Sequence, residues 1–395
     1  MYRKTETGHG TGIAELLKTV RFMTPDIRIT NNRKTLRDFI KLPEKIHARH
    51  INWLPPLYAD EKIFFNPEKN KAFGYCDTIM AVAYIENEPM GRIMGIIHRN
   101  YNQQHNEKSA RFGFFDCFNE PDIAGALLDF IRDWAIGKGM VSLNGPYGFS
   151  DRDPQGFLVE GFDDPPLIDT NCNLQYMPGF LEKDGFVKLV DCLTYRFDLN
   201  LVLPEVYKRT SQRVENSHRY ELLEFTSKKK LLPYIVPVLR LTNETYSHLY
   251  GFYPLSEAEM HDLYKRYSAV LNPDYVKIIS CNGEIIAYVV GVANMAEGFR
   301  KAGGRLFPFG WFHILRSLKT ATQLNLMLGA VSRHQQGLGL EVWMGLKMLE
   351  SAKKAGIETI ETHLILETNT RMRAVFERLN VPVVKRFRVY RKILD

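Results

Sequence analysis

Residues Leu324 to Leu349 read LNLMLGAVSRHQQGLGLEVWMGLKML, and this stretch decides the fold. Leu324 to Val331 reads as a buried strand, Gly337-Leu338-Gly339 closes a short loop, and a helix runs on to about Ala355. A glycine loop between a strand and a helix is suited to anions. The first N–H groups of the helix have no partner within it, and its dipole favours negative charge there. Glycine lets the main chain approach the anion with no Cβ in the way. The stretch predicts a phosphate cradle on an α/β scaffold, against the plainer reading of Gly337 and Gly339 as a tight turn. Gly345, inside the helix, reads as a close-packing position.

Outward from this stretch the order of elements repeats. Upstream lie helices near Leu232 to Tyr246 and Glu257 to Val270. A hairpin follows, Tyr275 to Cys281 and Glu284 to Ala293, turning at Asn282-Gly283. Downstream come a strand at Thr359 to Ile365, a helix from Asn369 to Leu379 and a strand at Val383 to Lys392. The first half has a helix opened by Thr35, a hairpin (Asp77 to Ile85, Met90 to His98) and a strand from Arg111 to Phe118. A helix from Asp122 to about Lys138 follows, with strands at Val141 to Gly145 and Val187 to Phe197. Both halves therefore predict one α/β unit (mixed α+β), used twice in tandem. The boundaries read as a flexible leader over residues 1–25, an N-terminal unit over 26–205 and a C-terminal unit over 206–395. A long Gly-, Pro- and Asp-rich loop from Gly145 to Asn173 interrupts the first unit. A structured loop of this length reads as functional, one wall of a binding site, unless the first half is purely structural. Its acids Asp151, Asp153, Glu160, Asp163 and Asp164 match no calcium spacing and read as loop caps, so no metal is expected.

Two units suit a chain of 395 residues. The net charge of +7 suits an anionic ligand or a membrane surface, but the basic residues form no stripe, so no nucleic acid is expected. Five scattered cysteines without a CxxC pair support neither zinc nor a disulfide framework and fit a cytoplasmic setting. The sequence has no signal peptide and no apolar run long enough to span a bilayer. The insertion from Phe307 to Gln323 is amphipathic, with Trp311, Ile314, Leu315 and Leu318 at helical spacing and Arg300, Lys301 and Arg305 just upstream. It reads either as a helix packed on its own sheet or as a peripheral contact with the inner membrane face. Oligomeric state is not legible.

The segment His334-Gln335-Gln336-Gly337-Leu338-Gly339 resembles the acyl-CoA pyrophosphate loop of the GNAT-superfamily acyltransferases, Arg/Gln-x-x-Gly-x-Gly/Ala. His334 replaces the usual Arg or Gln, and Arg333 flanks it. The helix from Asn369 resembles the family's next signature, with Phe376 in place of the usual tyrosine acid and Asn380 in place of glycine. Gly304 to Trp311, the 145–173 loop, Ile365 to Asn369 and Arg388 to Arg391 narrow the resemblance to a bacterial GNAT-like subgroup. That subgroup includes enzymes resembling bacterial ceramide synthase. The resemblance covers about residues 31–395. It implies two tandem GNAT-like domains, each a twisted mixed sheet flanked by helices, and an N-acyltransferase that uses acyl-CoA or acetyl-CoA directly on an amine. The amine would be a long-chain, sphingoid-type one. Acetylation of a small soluble amine, and acyl-CoA binding without turnover, stand as alternatives.

The resemblance further implies a thioester held where two parallel strands, Leu324 to Val331 and Thr359 to Ile365, part. Backbone amides near Leu328, Ala330 and Val331 would polarise its carbonyl. Arg333, His334, Gln335, Gln336, Gly337, Leu338 and Gly339 would hold the pyrophosphate, with Phe376 beside the pantetheine arm and Asn369 either bonding that arm or capping its helix. A base must take the ammonium proton. Glu367, at the C-terminal end of the second strand, is the first candidate, and His363 the second. Each has a structural reading too: a helix-start acid for Glu367 and a core histidine for His363. No nucleophile motif argues for a covalent intermediate. In the first half the matching loop, Phe118-Asn119-Glu120-Pro121-Asp122, carries two acids and a proline. Only the second half is therefore expected to bind CoA.

Overall fold

The computed structural model describes residues 24–395, so the expected leader lies almost wholly outside the described residues. The strands are β1 (Asp26–Ile29), β2 (Cys76–Ile85), β3 (Glu88–His98), β4 (Ser109–Cys117), β5 (Ser142–Gly145), β6 (Phe157–Glu160) and β7 (Val187–Asp198), then β8 (Glu221–Leu223), β9 (Val276–Cys281), β10 (Glu284–Ala293), β11 (Gln323–Val331), β12 (Thr359–Thr362), β13 (Ile365–Leu366) and β14 (Val383–Ile393). The helices that position the site are α1 (Pro121–Gly137), α2 (Glu205–Asn216), α3 (Ile235–Tyr246), α4 (Glu257–Tyr267), α5 (Ala296–Ala302), α6 (Gly310–Thr320), α7 (Leu340–Lys354) and α8 (Thr370–Glu377).

All the strands belong to one sheet ordered β1-β2-β3-β4-β5-β14-β7-β12-β11-β10-β9-β8, with β6 beside β14 and β13 beside β7. Read outward from the β14/β7 pair, the two arms match strand for strand. Each has a parallel pair next to the centre (β4/β5 and β11/β12), then an antiparallel hairpin, then a short edge strand. The two hairpins turn the same way. Glu86-Asn87 and Asn282-Gly283 both have positive φ at both central residues, the turn whose twist matches paired strands.

The repeat is legible in the sequence; its central exchange is not. β14, the last strand of the chain, pairs with β5 of the first half (Tyr390 opposite Gly145). β7, which closes the first half in sequence, pairs with β12 of the second (Thr359 opposite Asp198). A cut at 205/206 therefore separates the chain but not the sheet, since each half holds the other's closing strand. A buried ion pair lies within this exchange. Lys385 of β14 donates to Glu361 of β12 at 2.6 Å, with both side chains at most 1 % exposed. Glu361 also accepts from Thr194 of β7 at 3.2 Å and from Gln323 at 3.1 Å, so the buried carboxylate is well satisfied.

Each helix after a parallel strand covers one face of its arm. α1 buries Ile123, Leu127, Leu128 and Ile131 against Ile93, Phe112 and Leu143. Its counterpart α7 buries Leu340, Trp343 and Met344 against Ile279 and Ala287, and Met348 and Ala352 against Leu324 and Ile360. α3 packs on the opposite face of the second arm, around Ile278 and Tyr288.

Candidate active site at the fork of the second arm

β11 and β12 pair in parallel only from Gln323/Thr359 to Leu326/Thr362, and the His363 N–H closes the run on Leu326 O at 2.8 Å. Beyond that point β11 stays with β10 as far as Val331, whereas the other chain turns to β7 as β13. A β-bulge at Met327, where two residues of β11 oppose one step of β10, accompanies the parting. This is the expected fork.

The bulge also decides which backbone groups face the gap. Ser332 N–H donates to Ile286 O at 2.7 Å, so the alternation along this ladder turns Ala330 and Leu328 toward β10. The expectation that Leu328 and Ala330 supply free amides is corrected: their main chain is committed to the ladder. Gly329 and Val331 face the gap instead. Tyr246, at the end of α3, donates its hydroxyl to Gly329 O at 3.0 Å and accepts from Gly329 N–H at 3.4 Å. Gln336 donates to Val331 O at 3.1 Å. Burial raises the Tyr246 hydroxyl above its ordinary pKa.

At the far end of β11 the glycine loop enters α7. Gly337 (φ +78°) and Gly339 (φ +92°) both adopt the left-handed conformation, and no side chain caps α7. The first α7 amide bonded back to the loop is that of Trp343, which donates to Gly339 O at 3.0 Å, so the N–H groups of Leu340 to Val342 lack an acceptor within the helix. A Cβ at Gly337 would meet nothing within 4 Å, whereas one at Gly339 would stand 2.5 Å from the Thr210 methyl of α2. Gly337 therefore opens the loop outward and Gly339 seats it on α2.

The surrounding side chains are mostly engaged. Gln335 accepts from the Tyr220 hydroxyl at 3.0 Å, and Arg371 of α8 donates to Gln336. Arg333 is drawn back to Ser247 Oγ at 2.9 Å and to the Glu244 carbonyl at 3.3 Å. His334 and Leu338 are exposed at the rim. Sequence reasoning missed Arg371, which comes to the loop from a helix thirty-odd positions away.

Of the two α8 positions, Asn369 takes one of its expected roles and Phe376 departs from expectation. Asn369 caps α8, accepting from Met372 N–H at 3.3 Å. Phe376 is in the core, stacked on Tyr195 with ring centroids 5.2 Å apart, so it is no neighbour of the gap.

The two candidate bases part company. Glu367 accepts from Lys188 at 2.8 Å and from the Asp191 amide at 3.0 Å, and it belongs to an ionic network in which Arg386 and Arg388 also bind Asp191. Those contacts tie it to β7. His363 stands at the fork itself. Its Nε2 is 3.2 Å from the Ile168 carbonyl of the 145–173 loop. A carbonyl only accepts, so the proton is on Nε2 and the lone pair of the neutral ring is on Nδ1. Burial lowers the ring below its ordinary pKa, against the opposing pull of Asp169. His363 shares its face with Glu361 and with Asn325, opposite Glu361, the face turned to the first half's loop rather than to α7.

Comparison with known proteins agrees with this geometry. The chain takes the tandem GNAT fold. It superposes on a tandem GNAT protein from the clavulanic acid biosynthesis pathway with a TM-score of 0.54, covering 94 % of this chain and 99 % of that one at 13 % identity. It also superposes on a GCN5-related N-acetyltransferase from Sphaerobacter thermophilus, with a TM-score of 0.51, covering 94 % and 96 % at 10 % identity. In sequence it is 27 % identical over 366 residues to the bacterial ceramide synthase of Caulobacter vibrioides, covering 91 % of this chain and 95 % of the relative. It is 26 % identical over 381 residues to the protein YghO of Escherichia coli, covering 93 % and 95 %. No family model matches.

Proposed function

We propose that this chain is an acyl-CoA-dependent N-acyltransferase that transfers the acyl group directly to an amine. The observation that carries the reading is the β11/β12 fork with unpaired amides at one end and His363 at the other. The loop from Gly337 to Leu340 holds the pyrophosphate, with Arg371 beside it. Gly329 N–H, bonded to the Tyr246 hydroxyl in this structure, passes to the thioester oxygen as negative charge develops there. His363 takes the ammonium proton of the acceptor on Nδ1. Tyr246 stands where Phe376 does not, and its hydroxyl must leave Gly329 to serve the leaving thiolate. Glu367 keeps β13 on β7.

The acceptor is a long-chain amine. Support comes from the name borne by the Caulobacter relative and from the insertion, where Phe307 is 79 % and Phe309 69 % exposed. Trp311, Phe312 and Leu315 of α6 are also exposed, while Ile314 and Leu318 pack inward, so the stripe expected to share one face is divided. Exposed Arg300, Arg305, Arg316 and Lys319 surround the aromatic group, which suits an anionic bilayer surface. Among the described residues no helix is long and apolar enough to cross a membrane. A short acyl group is the second reading, favoured by Tyr246 lying across the fork.

Thermal stability with acetyl-CoA and with palmitoyl-CoA, followed by thiol release on adding sphinganine or a small soluble amine, tests the proposal. Stabilisation by neither thioester would remove the acyl-CoA reading. Stabilisation without thiol release from any amine would leave a binder.

A further inference from the structure

At the matching place in the first arm the strands stay bonded, and polar side chains are buried beside them. β4 and β5 pair in parallel from Ser109/Ser142 to Arg111/Asn144, and past that point Tyr147 N–H still donates to Phe112 O at 2.7 Å. Arg111 is 2 % exposed and makes no ion pair among the described residues. Its Nη1 donates to Phe149 O at 2.9 Å, and its guanidinium lies between the rings of Tyr101 (4.5 Å) and Tyr147 (4.7 Å). Its Nη2 is buried without a hydrogen-bond partner. Asp151, the acid within its electrostatic reach, is 3.4 Å from Arg152.

Two more unpaired donors lie in the same place. His98, 1 % exposed, accepts the Tyr101 N–H on Nδ1 at 3.1 Å. The proton of its neutral ring is therefore on Nε2, which is buried and unpaired. Burial, then the charge of Arg111, bring its pKa down to about 3, so the ring stays neutral. The fully buried Tyr147 hydroxyl is also unpaired. Gln155, opposite Tyr147 across an isolated bridge, leaves its Oε1 unpaired nearby.

One segment of the second half covers Tyr147 and His98. Gly251 N–H donates to Tyr101 Oη at 3.2 Å, and a Cβ at Gly251 would fall 1.9 Å from the Tyr147 hydroxyl. The Tyr253 ring lies 4.5 Å from the His98 ring. Tyr253 and Tyr75, which also packs on His98, line a surface cleft of about 280 Å³ with Lys71, Pro254, Ser256 and Glu259.

We infer that this buried cluster beside β4 and β5 is a binding site for an oxyanion, a carboxylate or phosphate group of a small molecule, held by Arg111 Nη2, His98 Nε2 and the Tyr147 hydroxyl. Buried donors without acceptors are costly, and an unpaired buried guanidinium is costlier still. An oxyanion answers all three donors and the charge at once. The site is separate from the glycine loop of the second arm and does not depend on the acyl-CoA reading.

The test is thermal unfolding of the full chain with acetate, inorganic phosphate or chloride at matched ionic strength, in the wild type and in Gly337→Val to remove the other anion loop. A saturable rise of several degrees with acetate, phosphate or both, in both proteins, is expected. Acetate alone identifies a carboxylate, phosphate alone a phosphoryl group, and both a general oxyanion site. A response to neither beyond chloride overturns the inference. Arg111→Met should abolish the rise, and retention of it overturns the site. Should Arg111→Met fail to fold, Tyr147→Phe decides. Deleting an unpaired hydroxyl should leave the anion-free protein as stable or more so and shrink the anion response. A drop in anion-free stability, or an unchanged response, refutes the assignment.

Discussion

Gly337 and Gly339 are two residues apart and have the same backbone sign, yet substitution should affect them differently. Either position forces a side chain into the left-handed region, at about 1–2 kcal/mol. At Gly337 that is the whole cost, because the new Cβ meets nothing within 4 Å. At Gly339 the Cβ stands 2.5 Å from Thr210 Cγ2 and 3.3 Å from Val214 Cγ2. α2 must then shift, which adds roughly 1–3 kcal/mol of overpacking. Gly337→Val should thus lower the melting temperature by only a few degrees, and Gly339→Ala by more. Ligand response should follow the opposite order. A native-state ligand at 100 times its Kd adds about 2.7 kcal/mol. That increment should vanish in Gly337→Val, whose side chain occupies the approach to the amides, and should partly survive in Gly339→Ala. Denaturant midpoints with and without acyl-CoA measure both quantities. Full acyl-CoA stabilisation of Gly337→Val, with its fold intact, would refute the assignment of the loop.

Lys385→Met should destabilise the protein by about 3–5 kcal/mol by leaving the Glu361 carboxylate buried and unpaired; Lys385→Met with Glu361→Gln should cost less than the two singles summed, as denaturant midpoints will report. His363→Gln should lower kcat by about 10²–10⁴-fold. In the wild type the acid limb of kcat/KM should lie below the ordinary histidine pKa because burial lowers that of His363, and in the variant the limb should disappear. His98 has a folded pKa of about 3, below that of the unfolded chain, so unfolding takes up a proton as pH falls through the mid-sixes. Stability should fall there by up to about 1.4 kcal/mol per pH unit, and His98→Gln should flatten that slope. Phe309→Ser with Trp311→Ser should abolish sedimentation with anionic vesicles at unchanged melting temperature; retained binding removes the membrane contact.

Elements with local signals were legible. The hairpin turns, the apolar face of α1 and the strand–glycine loop–helix stretch follow from periodicity and backbone chemistry over a few residues. The site was legible in part. The loop glycines lie in that stretch and His363 at the end of the next strand, but Tyr246 and Arg371 have no motif, since they reach the candidate site from helices far away in sequence. Glu367 reads equally well as a base or an anchor until Lys188 and the Asp191 amide are placed against it.

The sequence by itself determined the repeated α/β unit, the anion-ready helix start and the acidic counterpart loop in the first half, because each depends on neighbouring residues. Only the tertiary structure decided the exchange of β7 and β14, the turning of Gly329 rather than Leu328 or Ala330 toward the gap, and the burial of Phe376. These depend on pairings between residues up to about two hundred and fifty positions apart. Strand register, which a single bulge reverses, has no local signature.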